Sequence, residues 1–180
     1  VLVAEAEREA LAARLAAPGT RIVSFTITEK GYCRATDGSL DHDLAGTGTI
    51  YPLLAEGLRR RMAAGGTGLT LLSCDNLAAN GRQLARLLGD YCERHDPALG
   101  RWIAAQCSFP ATMVDRIVPA TTPADLAGVE RLIGLRDEAA VLTERFSQWV
   151  IEDRFAAGRP RWNEVGAQLV DDVASYETAK

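Results

Sequence analysis

The chain has 180 residues, of which 47% are hydrophobic and 24% charged, and 20 Lys and Arg against 24 Asp and Glu leave a net charge of −4. That is one globular domain or slightly more, with a composition far from that of a disordered tail. The mild acidity argues against nucleic acid or an anionic membrane as partner, because phosphates select clustered cations. Charges break every apolar run short of the roughly 20 residues that a membrane span requires.

Residues 4–17 are rich in Ala, Leu, Glu and Arg and stop at Pro18-Gly19, which predicts a helix and then a turn. Residues 21–28 alternate, with Val23, Phe25 and Ile27 on one face, which predicts a strand. The glycine-dotted stretch 36–49 reads as a polar loop, and a helix is predicted over 51–64. Its last turns hold Arg59-Arg60-Arg61, read as a solvated end favoured by the helix dipole.

Residues 69–74 are continuously apolar, as in a strand buried on both faces. Asp75-Asn76 follow, then a long helix with Leu84, Leu87, Leu88 and Tyr91 at helical spacing, closing near His95. A helix over 99–107 leads to a strand around 112–118. Thr122 as cap and Pro123 at the first position open a helix running to Ile133. Strands are predicted at 139–143 and 148–151, residues 162–170 receive no assignment, and a helix begins after 172. The alternation gives an α/β fold with a largely parallel, Rossmann-like sheet and a boundary near 134–138.

In open α/β sheets, ligands sit beyond the carboxyl ends of the strands. Glu29-Lys30, Asp75-Asn76 and Asp115-Arg116 fall there after three successive strands. Singly, these are a turn, a helix cap and a surface ion pair. Together they predict a polar cleft. The phosphate-cradling G-x-G-x-x-G is missing: Gly46-Thr47-Gly48 lacks its third glycine, and Gly65-Gly66-Thr67-Gly68 ends a helix instead of opening one. Cys33, Cys74, Cys92 and Cys107 form no C-x-x-C pair and only His42 and His95 accompany them, so no metal site is expected. Scattered thiols, and a start without a basic n-region or sustained apolar stretch, predict a cytoplasmic protein with no signal peptide. Trp102, Trp149 and Trp162 are read as packing residues.

Five strings in order carry a resemblance. They are Phe25-Thr26-Ile27-Thr28-Glu29-Lys30-Gly31-Tyr32-Cys33; Leu72-Ser73-Cys74-Asp75-Asn76-Leu77 with Asn80-Gly81; Phe109-Pro110-Ala111-Thr112-Met113-Val114-Asp115-Arg116-Ile117; Trp149-Val150-Ile151-Glu152-Asp153-Arg154-Phe155; and Tyr176-Glu177 with Lys180. The chain resembles the polyol-specific long-chain dehydrogenases, the family of mannitol 2-dehydrogenase and fructuronate reductase (mannonate oxidoreductase), over nearly its whole length.

The resemblance implies a metal-independent oxidoreductase that interconverts a polyol or sugar acid with its ketone, using NAD. NADP stays open, because the acidic residue that binds the ribose 2′-hydroxyl would fall upstream of Val1. Lys180 matches the catalytic lysine opening the family's Lys-x-x-x-x-Asn-x-x-His motif, a general base whose pKa must be lowered by its surroundings. Asn76 matches the amide that stabilises the developing alkoxide. Glu177 matches a glutamate that gates proton exchange with solvent, and Val114 and Asp115 match residues lining the nicotinamide and substrate pocket. Asp75 and Glu29 complete the cofactor- or substrate-binding candidates, Glu29 with no assigned role.

The glycine-rich turn would precede Val1, and the motif's Asn and His would follow Lys180. The expectation is therefore an interior stretch: a partial dinucleotide-binding domain over 1–135, then over 136–180 its end and the entry into a helical substrate domain. Such a stretch alone is expected to be inactive, and it leaves the particular polyol and the oligomeric state undetermined. Two rivals remain: a non-catalytic remnant or binding module, and a short-chain dehydrogenase using Tyr176 and Lys180 at Tyr-x-x-x-Lys spacing.

Overall fold

The computed structural model describes residues 4, 6–46 and 48–179. In chain order the elements are α1 (Arg8–Ala16), β1 (Ile22–Phe25), α2 (Thr28–Gly31), α3 (Ile50–Ala63), β2 (Thr70–Ser73), α4 (Asn80–His95), α5 (Pro97–Gln106), β3 (Thr112–Asp115), α6 (Pro123–Ile133), β4 (Gln148–Glu152), a 3-10 turn (Trp162–Val165), β5 (Gln168–Val170) and α7 (Ala174–Ala179).

β1 and β2 pair in parallel, Ile22 opposite Thr70 through Phe25 opposite Ser73. β3 pairs with β4, which pairs in parallel with β5. The β3–β4 pairing is antiparallel, so the largely parallel arrangement is mixed there. Its reason lies in the connection: α6 does not return across the sheet, and the chain comes back beside β3 in the opposite sense. Ser108 joins the two sheets by pairing with the free side of β2, donating its N–H to Leu69 (3.0 Å) and accepting from Leu71 N–H (2.8 Å).

The main core lies where α3, α4 and α5 cover β1 and β2. Leu58, Leu69, Leu71, Leu84, Leu87 and Leu88 are fully buried there. Removing such apolar area from water stabilises by about 25 cal/mol per Å². The α1–α3 crossing is tight enough that a Cβ on Gly57 would lie 2.4 Å from the Leu15 Cβ. A smaller cluster, Ala111, Met113, Val150 and Val173, packs beneath β3 and β4, with Tyr176 against it.

Two sequence expectations are corrected. Arg61 does not sit at a solvated helix end: it is buried, and its guanidinium donates to the carbonyls of Thr67 and Ala17. Those carbonyls end α1 and lead into β2, so one cation ties three segments. Its neighbours Arg59 and Arg60 pair with Glu56, and Arg60 also with Glu9. The strand predicted at 139–143 is irregular chain. Residues 116–147 bury no side chain, and Leu132, Leu135, Val141 and Phe146 are exposed. Apolar residues there have no core to face, and no strand among the described residues offers 139–143 a ladder. The excursion is held by the Thr122–Asp125 capping box and by Glu144, which accepts from Ile117 N–H at 2.6 Å.

Candidate active site

Three strand ends converge on one edge. β1 runs into α2, β2 into the loop 74–79, and β3 ends at Asp115. Asn80 locks the second to the third from below: its amide donates to the carbonyls of Asp75 and Thr112 (both 2.9 Å) and accepts from Thr112 N–H (2.9 Å). Thr112 Oγ1 in turn donates to the Ser73 carbonyl at 2.6 Å. Gly81 sits so close to the 109–111 segment that a Cβ there would lie 2.5 Å from the Phe109 carbonyl oxygen. Only glycine permits that approach. The sequence places Asn80 in a motif and assigns it no role; a buried Asn opening a helix just past a strand end is the signal for one.

Asp75 does not cap α4. Its carboxylate accepts from Ile27 N–H (3.2 Å), Thr28 N–H (2.8 Å) and Tyr32 O–H (2.9 Å). Tyr32 is buried and has one proton, so Ser73 Oγ at 2.5 Å donates to it. Burial first, with Asp75 adding, pushes the Tyr32 phenol well above its usual range, so it stays a neutral donor. The Cys74 thiol is likewise pushed up to about 11, by burial and then by Asp75.

Asn76, Val114 and Asp115 line one cleft of about 520 Å³, with Arg116, Gln148 and Trp149 on the same walls. A recess of about 140 Å³ shares Asn76 and Val114 with it and is also lined by Asp75 and Glu177. The Glu177 carboxylate accepts from Ala79 N–H at 2.8 Å, tying α7 to the loop that carries Asn76. Six of the seven predicted site residues bear on this: Asn76, Val114, Asp115, Asp75 and Glu177 come together, whereas Glu29 stands apart. Glu29 is exposed on α2, pairs with Arg34 at 3.2 Å, and lines a separate hollow with Lys30 and Cys33. Lys180, the seventh, lies outside the described residues. Tyr176 packs against the lower cluster instead of facing the cleft walls.

The cleft offers an amide, a carboxylate and an indole. Trp149 packs against Trp162 with ring centroids 5.0 Å apart, and its Nε1 is buried with no hydrogen-bond partner among the described residues. Among the described residues, no group of three or more His, Cys, Asp and Glu is placed to hold a metal ion, and no helix is long and apolar enough to cross a membrane.

The model of the mannitol dehydrogenase Rossmann domain matches residues 2–164. The D-mannonate oxidoreductase of Escherichia coli (strain K12) is 43% identical over 177 residues, 92% of this chain and 36% of that protein. A mannitol 2-dehydrogenase of Aspergillus terreus is 40% identical over 189 residues, 98% of this chain and 38% of that protein. Among solved structures, the ternary complex of Pseudomonas fluorescens mannitol 2-dehydrogenase with NAD and D-mannitol superposes with a TM-score of 0.87 at 40% identity, over 98% of this chain and 38% of that one. A substrate-free D-sorbitol dehydrogenase gives 0.89 at 38% identity, over 97% and 38%. The chain thus spans a little over a third of the length of these relatives.

Proposed function

The chain belongs to the mannitol dehydrogenase family, and from that premise we propose that the protein is an NAD-dependent oxidoreductase interconverting a polyol or aldonate secondary alcohol with the corresponding ketose or keto-uronate. The observation that carries the reading is the meeting of Asn76, Val114 and Asp115 on one cleft at the carboxyl edge of the sheet. Residues 1–135 are read as part of the dinucleotide-binding domain. Residues 136–180 are read as its close and the entry to a substrate domain, a division supported by β4 and β5 joining β3 before α7 begins.

Val114, Asp115 and Asn76 would hold the nicotinamide end of NAD. When bound, NAD supplies a hydride acceptor for the carbinol carbon. Asn76 donates its amide N–H to the substrate oxygen as negative charge develops there, a contribution of about 3 kcal/mol in comparable sites. The alcohol proton passes to neutral Lys180 Nζ, with no metal required. The small-molecule substrate needs neither a nucleic acid nor a membrane, and the cytoplasm is the compartment proposed, from the scattered unpaired thiols.

The test is coenzyme reduction by the full-length protein that contains this chain, followed by absorbance, with D-mannitol and D-mannonate and with NAD and NADP in parallel. Turnover is expected with one substrate class. Asn76→Ala is expected to lower kcat about 100-fold, Lys180→Ala to abolish turnover, and Tyr176→Phe to be mild. Turnover lost in Tyr176→Phe alone would favour the short-chain dehydrogenase reading. No turnover with any substrate would leave a dehydrogenase fold without its chemistry.

A further inference from the structure

We propose that Asp75 is a positioning residue for Asn76: it acts on neither substrate nor coenzyme, but holds the turn after β1 against the loop after β2 so that the Asn76 amide is presented to the cleft. The proposal rests on the catalytic role read for Asn76 and deepens it.

Most of the acceptor capacity of Asp75 is committed. Three donors, Ile27 N–H, Thr28 N–H and Tyr32 O–H, converge on its two oxygens from across the strand pair. One of the three comes from a strained place: Thr28 has φ +62°. A β-branched residue there costs on the order of 1–3 kcal/mol and persists only where its surroundings enforce it. The 2.8 Å bond from Thr28 N–H to Asp75 is that enforcement.

The other side of the clamp is equally fixed. The Asp75 carbonyl is held by Asn80 Nδ2 at 2.9 Å, and its N–H faces Ser73 Oγ at 3.4 Å. Ser73 Oγ closes the circuit on Tyr32 at 2.5 Å. Side chain, N–H and carbonyl of Asp75 are therefore all tied, and the next residue along the chain is Asn76. A displacement of about 1 Å at a catalytic group can cost about 100-fold in rate, so the rigidity of residue 75 sets the accuracy of residue 76.

The experiment compares Asp75→Ala, Thr28→Gly and the double variant in the holoprotein. If Asp75 positions Asn76, Asp75→Ala lowers kcat about 10- to 100-fold with KM for substrate and Kd for coenzyme within about twofold. Glycine adopts the Thr28 conformation without strain, so Thr28→Gly added to Asp75→Ala recovers at least part of the loss. A direct binding role for Asp75 gives the opposite pattern, with KM or coenzyme Kd raised and no recovery on adding Thr28→Gly, and overturns the proposal.

A second readout does not depend on turnover. The Asn76 side-chain amide signal in a nitrogen–proton correlation spectrum, assigned by its loss in Asn76→Asp, is expected to shift and broaden in Asp75→Ala and to return toward the native position in the double variant. An unmoved Asn76 signal in Asp75→Ala overturns the proposal even if the protein turns nothing over. Absent turnover with a displaced and rescued signal overturns the dehydrogenase reading and leaves the positioning intact.

Discussion

Glu177 and Ala79 lie 98 positions apart in sequence, yet the Glu177 carboxylate accepts the Ala79 N–H at 2.8 Å. Ala79 has φ +50°, a left-handed residue immediately before α4. The bond holds α7, the helix that leads to Lys180, against the loop carrying Asn76. Glutamine keeps the accepting oxygen and alanine does not. Amide exchange at Ala79 is expected to accelerate in Glu177→Ala and to stay close to native in Glu177→Gln. Equal acceleration in both variants would mean that the charge, and not the acceptor, does the holding.

Asn80 is fully buried and satisfies Thr112 and Asp75 at once. Truncation leaves buried backbone groups without partners, each costing about 1–3 kcal/mol. Asn80→Ala is therefore expected to lower unfolding stability by more than about 2 kcal/mol. Asn80→Asp is expected to lower it too, because a carboxylate cannot donate to the two carbonyls. Urea denaturation measures both.

Asp96 caps α5 by accepting Leu99 N–H at 3.1 Å and pairs with Arg59 at 2.9 Å. Arg59 first, then the capped N–H, holds the carboxyl below its ordinary value of 3.8. A lowered folded pKa contributes stability that is present above the unfolded value. That stability is lost as pH falls from 3.8 through the folded value. Asp96→Ala should cost about 1 kcal/mol near neutrality. Asp96→Asn keeps a capping oxygen and should cost less, with a shallower loss of stability in acid. Denaturation midpoints from pH 7 down to 3 check the sign.

Cys92 is buried, and desolvation first, then Asp96, pushes its thiol up to about 11. A raised folded pKa favours the protonated thiol, so its contribution is present below the unfolded value near 9.0 and is lost as pH rises through 11. The native protein should show no fast-reacting thiol from Cys92 at pH 8, and a fast one after unfolding in urea. A disulfide reagent followed by absorbance decides it, with Cys92→Ala identifying the signal.

Much of the scaffold was written locally. The leucines at helical spacing in α4, the Thr122-Pro123 opening of α6 and the apolar run 69–74 each name their element, because periodicity and caps act within a few residues. α2 escaped notice because Thr28–Gly31 is a single turn whose first N–H groups are held by Asp75, 47 and 48 positions away. The stretch 139–143 has strand-like composition and no partner strand, and composition cannot report a missing partner. Arg61 looks like its two neighbours in sequence; what differs is that it faces the end of α1.

By itself the sequence determined which residues carry polar chemistry past the ends of the first three strands, since strand ends and the residues after them are local features. It also determined the family resemblance that gave Asn76, Val114 and Asp115 their expected roles. Only the tertiary structure decided which of the carboxylates face the cleft and which are committed to the backbone. Glu29 turned to Arg34, Asp75 to the N–H groups of Ile27 and Thr28, and Glu177 to that of Ala79. The reason is physical: a carboxylate takes its place from the donors that converge on it, and those donors come from segments far apart in the chain.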